Sequence, residues 1–318
     1  MSVWRRSLAA GAWRRVLDRA AIWLVLLLLL AIAALLSEAF LRPNYLLNIV
    51  RQAAPVGIAA VGVTLVMIAG GVDLSVGAII SLAAVVAAVL MEGSAANLPL
   101  ALAATLLVGG AIGLANGLLI AYNRVSPFIL TLGMAIAVYG LTQIYSGGTA
   151  RGVVAPGFRE FFNHRFGGLV PVLALIVIAG LGIWLQRATR FGRSLYLIGS
   201  NPAAARLAGL PIARVTVAAY VLSGLAAALA GIALLARSGV SSTFAGRGLE
   251  FVVLAAVVLG GTTFEGGRGG IGGTIAGLLV LVIAFNLVNI IGLDYNAQLI
   301  VKGAIIIAAS ALYGYLKV

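Results

Sequence analysis

The sequence predicts an all-α integral membrane protein with about ten transmembrane helices, within a range of roughly eight to ten, some of them broken at glycine-rich segments. Of its 318 residues, 63% are hydrophobic and only 9% are charged, whereas about 25% of the residues of a soluble domain are charged. Such a chain lacks the polar side chains that cover a soluble core. Inside a bilayer, helices satisfy their own backbone hydrogen bonds. The composition therefore excludes a soluble enzyme domain.

Apolar runs set the expected positions of these helices. A helix needs about 20 mostly apolar residues to cross the hydrocarbon core. The runs that approach or exceed this length lie at 21–40, 53–69, 75–91, 98–122, 127–145, 168–186, 214–236, 249–261, 271–291 and 295–315. They leave no stretch for a soluble domain, so we expect a single transmembrane domain over residues 1–318.

Positive charge is concentrated between the apolar runs. The formal net charge is +13. Two arginine-rich segments, 1–20 and 187–213, fall on the same side of the membrane in the ten-span topology. Cytoplasmic loops carry an excess of arginine and lysine, so we expect cytoplasmic N- and C-termini. The charge is expected to set topology, and no nucleic-acid partner is expected.

Two of the predicted spans are interrupted by glycine pairs. Irregular backbone at membrane depth is tolerated only against protein or a water-filled cavity, and it marks transport pathways. The alternative is that glycine lets helices pack closely. The glycine-rich stretch after the second break, up to Gly277, is expected to help the chain cross or re-enter the membrane. The candidate gating and helix-break residues are Gly70, Gly71, Asp73, Ser75, Gly260, Gly261 and Glu265.

Asp73 follows the first break directly. One expectation is that its carboxylate is the N-cap of the third span, where it accepts backbone N–H groups. The other is that it belongs to an inner gate or to a contact with a partner protein. The two roles are compatible.

The sequence lacks the residues of an energy-converting enzyme. It has no cysteine and one histidine, so no metal site and no cofactor are expected. A P-loop needs the pattern GxxxxGK[ST], and neither Lys302 nor Lys317 fits it. No carboxylate in mid-span has a clear partner for a proton relay. We therefore expect no catalysis in this chain and an external source of energy for any transport.

Three motifs resemble those of the permease subunits of ribose-type sugar ABC importers, a binding-protein-dependent transport family. They are GGVDLSVG at 70–77, GSNPAAARLAG at 199–209 followed by Tyr220 and SGLAAALAG at 223–231, and VVLGGTTFEGGRG at 257–269. They come in the family's order, and the resemblance covers nearly the whole chain. Branched-chain amino-acid permeases are relatives with looser versions of the motifs.

The resemblance implies a multi-pass permease of a bacterial inner membrane that takes up a small sugar, a pentose or hexose. It implies a dimer with a second copy or a paralogue, ATP-binding subunits on the cytoplasmic face and a soluble solute-binding protein on the periplasmic face. The alternatives are a branched-chain amino-acid-type permease and an ion-coupled secondary transporter. Broken helices are also typical of secondary transporters. The solute itself is not encoded in a readable motif.

A short helix is expected inside the loop at 187–213. Asn201 is a good N-cap, Pro202 suits the first helical position, and Gly209 suits the stop before Pro211. By resemblance this is the coupling helix that fits a groove of the ATPase, and the alternative is a solvated basic connector. The candidate coupling residues are Asn201, Pro202, Ala203, Ala204, Ala205, Arg206, Ala208 and Gly209.

Two further sets of residues are candidates for contacts with partner and solute. Arginines on the outer side oppose the expected charge bias, so we expect them to face acidic residues of the binding protein: Arg151, Arg159, Arg165, Arg237 and Arg247. Polar residues within the spans suit the passage of a neutral polyol: Asn116, Gln143, Asn286, Asn289, Gln298 and Lys302. For these the alternative is a hydrogen bond between helices and, for Lys302, a side chain that reaches the outer interface. In the pathway interpretation, Lys302 is a fixed charge that faces the central cavity and pairs with Asp294 or Glu250.

Overall fold

The computed structural model describes residues 22–123 and 125–315, and within these ranges every regular element is a helix. This confirms the predicted all-α class. The basic segment 1–20, Arg124 and Lys317 lie outside the described residues. The α-helices are α1 (Ile22–Leu36), α2 (Pro43–Ile68), α3 (Val76–Met91), α4 (Leu98–Asn123), α5 (Pro127–Ser146), α6 (Pro156–Asn163), α7 (Val170–Ala188), α8 (Arg190–Ser200), α9 (Pro202–Leu207), α10 (Ile212–Ser238), α11 (Leu249–Leu259), α12 (Ile271–Ile290) and α13 (Tyr295–Tyr315).

Each of the predicted apolar runs contains a helix. Six helices of the described chain are long and apolar enough to cross a membrane, namely α2, α4, α5, α7, α10 and α12. The remaining runs form α1, α3, α11 and α13. The protein is therefore a multi-pass helical membrane protein.

Helices α2, α3 and α10 form the centre of the bundle. Helix α3 is apolar on all sides, and nearly all of its side chains are buried, as expected for a helix surrounded by protein. Helices α4, α5 and α7 instead expose large apolar side chains on one face, for example Leu107, Ile136 and Ile176. In a bilayer such a face contacts lipid, so the peripheral helices shield the central ones.

Helices α4 and α10 approach each other at a row of glycines. A side chain at Gly109, Gly113 or Gly117 would overlap the backbone of α10. The spacing of four residues places these glycines on one face of α4, the small-residue pattern that brings membrane helices close together. These three glycines therefore serve the close packing of α4 against α10.

One predicted boundary is wrong. Helix α2 begins at Pro43, well before the predicted start at residue 53, and continues through Pro55. The apolar count missed this part because the first turns of α2 carry polar side chains. The glycine-rich stretch after the second break is irregular as far as Gly270, and the predicted run at 271–291 corresponds to α12, in which Gly273 and Gly277 pack against α11. Helices α6 and α8 were not predicted, since neither is long and apolar.

Candidate functional site: the junction of the two helix breaks

The three motifs meet at one end of the bundle. The backbone N–H of Gly267 donates to the carbonyl oxygen of Ile68 at 2.8 Å. A side chain at Gly199 would overlap that same carbonyl group and the backbone at Gly267. We call this meeting point the glycine junction and define it as residues 68–71, 199–200 and 265–267. It joins the end of α2, the end of α8 and the loop between α11 and α12.

Glycine is required at the junction for two reasons. Gly70 and Gly266 both have φ of +82°, a left-handed conformation that other residues adopt only at a cost. A Cβ on Gly266 would also lie 2.7 Å from the backbone nitrogen of Gly70 and 2.9 Å from the Cα of Gly199. Three backbones thus pack in direct contact, which leaves no space for side chains.

Asp73 lies at the centre of the first break and is fully buried. Its Oδ1 accepts hydrogen bonds from the Ser75 amide at 3.0 Å and from the Ser75 hydroxyl at 2.6 Å. Its Oδ2 accepts from the Ser223 hydroxyl on α10 at 2.7 Å. A buried carboxyl group is costly without such partners. The bond to Ser223 holds the first break against α10, and the bonds to Ser75 hold the turn before α3.

The expectation that the Asp73 carboxylate accepts a backbone N–H is confirmed at Ser75, whereas the expectation that Asp73 is the N-cap of the third span is wrong. The N-cap position of α3 is Ser75, and no side chain caps the first turn there. Asp73 lies two residues earlier, because the chain makes a further turn before α3 begins. Its carboxylate holds the N-cap residue and reaches α10 instead.

Three more side chains hold the first break. Asn116 of α4 donates to the Ser75 hydroxyl at 2.9 Å. The Tyr220 hydroxyl of α10 donates to the carbonyl oxygen of Val72 at 3.0 Å, and the Thr131 hydroxyl of α5 accepts from the amide of Leu74 at 3.1 Å. The irregular backbone at 69–75 is therefore satisfied by protein on several sides.

The second break is held by side chains of α7 and α8. Gln186 accepts at its Oε1 from the amide of Ile271, the first residue of α12, at 3.0 Å. The Tyr196 hydroxyl donates to the carbonyl oxygen of Gly269 at 2.8 Å, and Gln186 and Tyr196 are themselves in contact. Sequence reasoning missed both residues. The signal that could have indicated Gln186 is its position as a lone glutamine at the end of the apolar run 168–186.

Helix α9 begins directly after the junction. Asn201 is its N-cap, with Oδ1 accepting from the amide of Ala204 at 2.9 Å. Pro202 is the first helical residue, and Gly209 ends the turn with φ of +74°. The predicted short helix and its caps are confirmed. Only Ala205 is buried, so the rest of the helix presents the small side chains of Ala203 and Ala204, together with Arg206 and Leu207, to the exterior.

The candidate docking arginines lie at the opposite end of α10 from α9, and all five are exposed. The segment after α5 is tied to the segment after α10, because the Arg151 amide donates to the Ser241 hydroxyl at 3.0 Å. Arg165 lies 5.5 Å from the centre of the Phe166 ring. This end of the bundle therefore combines exposed cations with exposed aromatic rings. Their contact with a binding protein stays a prediction.

The candidate pathway residues do not form one cluster, and no hydrogen bond joins any two of them within the described chain. Asn116 is fully buried at the first break, and Asn286 donates to the backbone of its own helix. Gln298 donates to the carbonyl of Leu293 at 2.9 Å. Gln143 donates a hydrogen bond to the Thr243 hydroxyl at 3.4 Å. Asn289 is exposed. The Lys302 amine lies 5.7 Å from the centre of the Phe285 ring. Their role in transport stays a prediction.

A polar cluster that sequence reasoning did not find lies between α3, α5 and α11. The Tyr139 hydroxyl and the Glu250 Oε2 are buried without a hydrogen-bond partner. The Ser81 hydroxyl accepts from the amide of Gly246 at 2.9 Å, and Gly77 leaves the space that the Glu250 carboxylate occupies. Glu250 lies in the first turn of α11, where a carboxylate near the helix N-terminus is favourable.

This helical membrane bundle has two broken segments that are held by protein side chains and that both contact the end of α8, directly before the short exposed helix α9. These features define a membrane component of the transporter class. The chain belongs to the family described as branched-chain amino acid transport system / permease component, which it matches over residues 45–310.

Individual relatives support the same family. The chain is 40% identical to the ribose import permease protein of Escherichia coli over 90% of each chain. It is 40% identical to the ribose import permease protein of Bacillus subtilis over 91% of each. The galactose/methyl galactoside import permease protein of Escherichia coli is 36% identical, over 93% of this chain and 94% of the relative. No solved structure gives a significant match.

Proposed function

We propose that this chain is the membrane-spanning permease subunit of an ATP-driven importer that translocates a small sugar, a pentose or hexose. One observation carries the proposal: 40% identity to ribose import permeases over 90% of both chains. The GGVDLSVG motif adds to it, because these residues form the first break and hold Asp73 at its centre.

The importer is proposed to contain further chains. ATP hydrolysis belongs to a partner on the cytoplasmic face, since this sequence has no P-loop. A periplasmic binding protein delivers the sugar to the end of the bundle that carries the exposed arginines. A second copy of the chain or a paralogue completes the pathway. With this arrangement α9 is cytoplasmic, and both termini are on the same side.

The glycine junction supports a specific route of coupling. ATPase motion that shifts α9 moves α8, from which α9 is separated only by Asn201. Gly199 at the end of α8 contacts both Ile68 at the first break and Gly266 at the second. Closely packed groups transmit displacement because they have no free space to absorb it. One movement of α9 is therefore passed to both breaks at once, and the Asp73–Ser223 bond is proposed to fix the position of the inner gate.

A branched-chain amino-acid permease is the second candidate, because the family description names that solute class. The test is uptake into proteoliposomes that contain the chain with its ATPase and binding protein, with ribose, galactose and leucine as solutes. We expect uptake of a sugar that needs both ATP and the binding protein. Uptake of leucine alone would favour the second candidate. Uptake by the chain without its ATPase, driven by an ion gradient, would overturn the proposal.

A further inference from the structure

An apolar hollow opens on the side of the bundle between α4, α7, α8 and α10. It is a shallow, open depression with a volume of about 520 Å³, and it is lined by side chains such as Leu118, Leu185, Phe191 and Val221. Its polar groups come from Tyr122 and Arg214. The hollow therefore suits a hydrocarbon chain that has a polar end near these two residues.

A second hollow adjoins the first and shares Tyr122 and Arg214 with it. It is also open to the exterior, has a volume of about 570 Å³ and adds Arg206 of α9 together with residues 210–213. Among the described residues that line the two hollows, none is acidic. Two exposed guanidinium groups thus border one space, and this space continues into an apolar one.

The ends of the helices place both hollows at the membrane boundary. Tyr122 lies in the last turn of α4, and Arg214 lies in the first turn of α10. Val221 is seven residues further along α10, or about 10 Å deeper at about 1.5 Å per residue. The apolar hollow therefore runs from the boundary into the hydrocarbon region, and the cationic hollow lies outside it. Tyrosine is typical of this boundary.

We propose that the two hollows form one binding site for an anionic phospholipid. The phosphate group lies between Arg206 and Arg214, and one acyl chain occupies the apolar hollow. Guanidinium groups bind phosphate through paired, charge-assisted hydrogen bonds, and basic pockets between membrane helices are typical sites for anionic headgroups. Since Arg206 is on α9 and Arg214 is on α10, the bound lipid ties the short helix to the membrane surface.

The experiment measures lipid bound to the full-length purified chain. The chain is placed in bilayer nanodiscs of phosphatidylcholine that contain increasing phosphatidylglycerol, and bound lipid is counted by native mass spectrometry. The variants are Arg214→Gln, which removes the cation, and Ala218→Trp, which fills the apolar hollow without a change of charge. The matched control is Arg151→Gln, an exposed arginine at the other end of the bundle.

We expect the wild-type chain to retain phosphatidylglycerol in preference to phosphatidylcholine. Arg214→Gln should lower its apparent affinity about fivefold, the effect of one arginine near an anionic surface. Ala218→Trp should also lower it, because the indole excludes the acyl chain from the apolar hollow, and Arg151→Gln should not. Equal retention by the two variants and the control would overturn the proposal. So would an equal preference of the wild type for both lipids. Competition by soluble glycerol phosphate as strong as that by the lipid would also overturn it, because the acyl chain would then add nothing.

Discussion

At the scale of single residues, the site depends on the glycines of the junction, which contact the backbone of neighbouring segments. It also depends on Asp73, a buried acid that accepts hydrogen bonds from the hydroxyl groups of Ser75 and Ser223. A side chain at Gly266 or Gly199 would overlap the backbone of a neighbouring segment, and Gly70 has a positive φ. Asp73 is buried, and its bonds reach a helix distant in sequence. Substitutions here therefore act on the contact between helices before they act on the stability of any one helix.

The first prediction concerns the glycine junction. Gly266→Ala adds a methyl group against the backbone of Gly70 and Gly199 at a positive φ, and each such strain costs about 1–3 kcal/mol. We expect uptake to fall more than tenfold while membrane insertion is kept. The control is Gly272→Ala, because a Cβ there meets nothing within 4 Å. Equal uptake by the two variants would show that the junction tolerates bulk.

The second prediction concerns the Asp73 bonds. Ser223→Ala leaves the Asp73 Oδ2 without its partner on α10, and an unsatisfied buried acceptor costs about 1–3 kcal/mol. The midpoint of thermal unfolding in detergent should fall by several degrees. Ser238→Ala on the same helix is the control, because Ser238 is exposed and bonds only nearby backbone. The same midpoint for both variants would contradict a role of Ser223 in stabilising the break.

At the scale of elements, α9 is the clearest match between local sequence and local structure. Asn201 and Pro202 define its start, and Gly209 defines its end, as their side chains and backbone preferences require. Its six residues are too few to be a stable helix alone. Its position therefore depends on α8 and on the junction, which is why a short exposed helix is held in one place.

The third prediction concerns this helix. Ala204→Glu or Ala208→Glu adds a long acid to the exposed side of α9, where small side chains would fit a groove of the ATPase. We expect uptake to be lost while ATP hydrolysis either continues without coupling or no longer responds to the permease. The measurement compares solute uptake, ATPase rate and copurification of the ATPase in proteoliposomes.

The matched control for the α9 variants is Ala96→Glu. Ala96 is exposed and lies between the end of α3 and the start of α4, at the end of the bundle opposite to α9. This variant adds the same acid at the other end of the bundle, and copurification of the ATPase should be unchanged. Wild-type uptake and wild-type ATPase stimulation in both α9 variants would place the coupling contact elsewhere on the chain.

At the scale of the whole molecule, the two ends of the bundle differ in the elements that they carry. One end holds the junction, α9 and the hollows bordered by Arg206 and Arg214. The other holds α6 and the segments that carry the five candidate docking arginines. The central helices α2, α3 and α10 connect the ends, because each runs through the protected core. This arrangement suits a protein that receives a solute at one end and an energy signal at the other.

The fourth prediction concerns the candidate docking arginines at the end of the bundle opposite to α9. Reversal of charge at Arg159 and Arg247 together should raise the half-saturating concentration of the binding protein about threefold to tenfold at low salt, since exposed pairs contribute about 0–1 kcal/mol each. The effect should shrink as salt screens the charges. Double reversal at Arg190 and Arg193, exposed arginines of α8, is the control with the same change of charge. Docking that is equal in both variants and insensitive to salt would leave these arginines as solvated loop charges.

The local pattern of the sequence determined the class of protein, the place of each apolar helix, the two breaks and the caps of α9. Each of these depends on neighbouring residues: an apolar run, a glycine pair, or an asparagine before a proline. The end of α2 nearest Pro43 was missed because polar residues at the edge of a membrane have no apolar signature.

Only the tertiary structure decided which of these features belong together. Asp73 and Ser223 are 150 positions apart, and nothing in either segment specifies the other as its partner. The contact among Gly70, Gly199 and Gly266 and the space between Tyr122 and Arg214 likewise depend on how whole helices pack. The physical reason is that a local pattern fixes how a segment folds and which face it buries, whereas the partner across an interface is chosen by the shape and polar groups of the entire bundle.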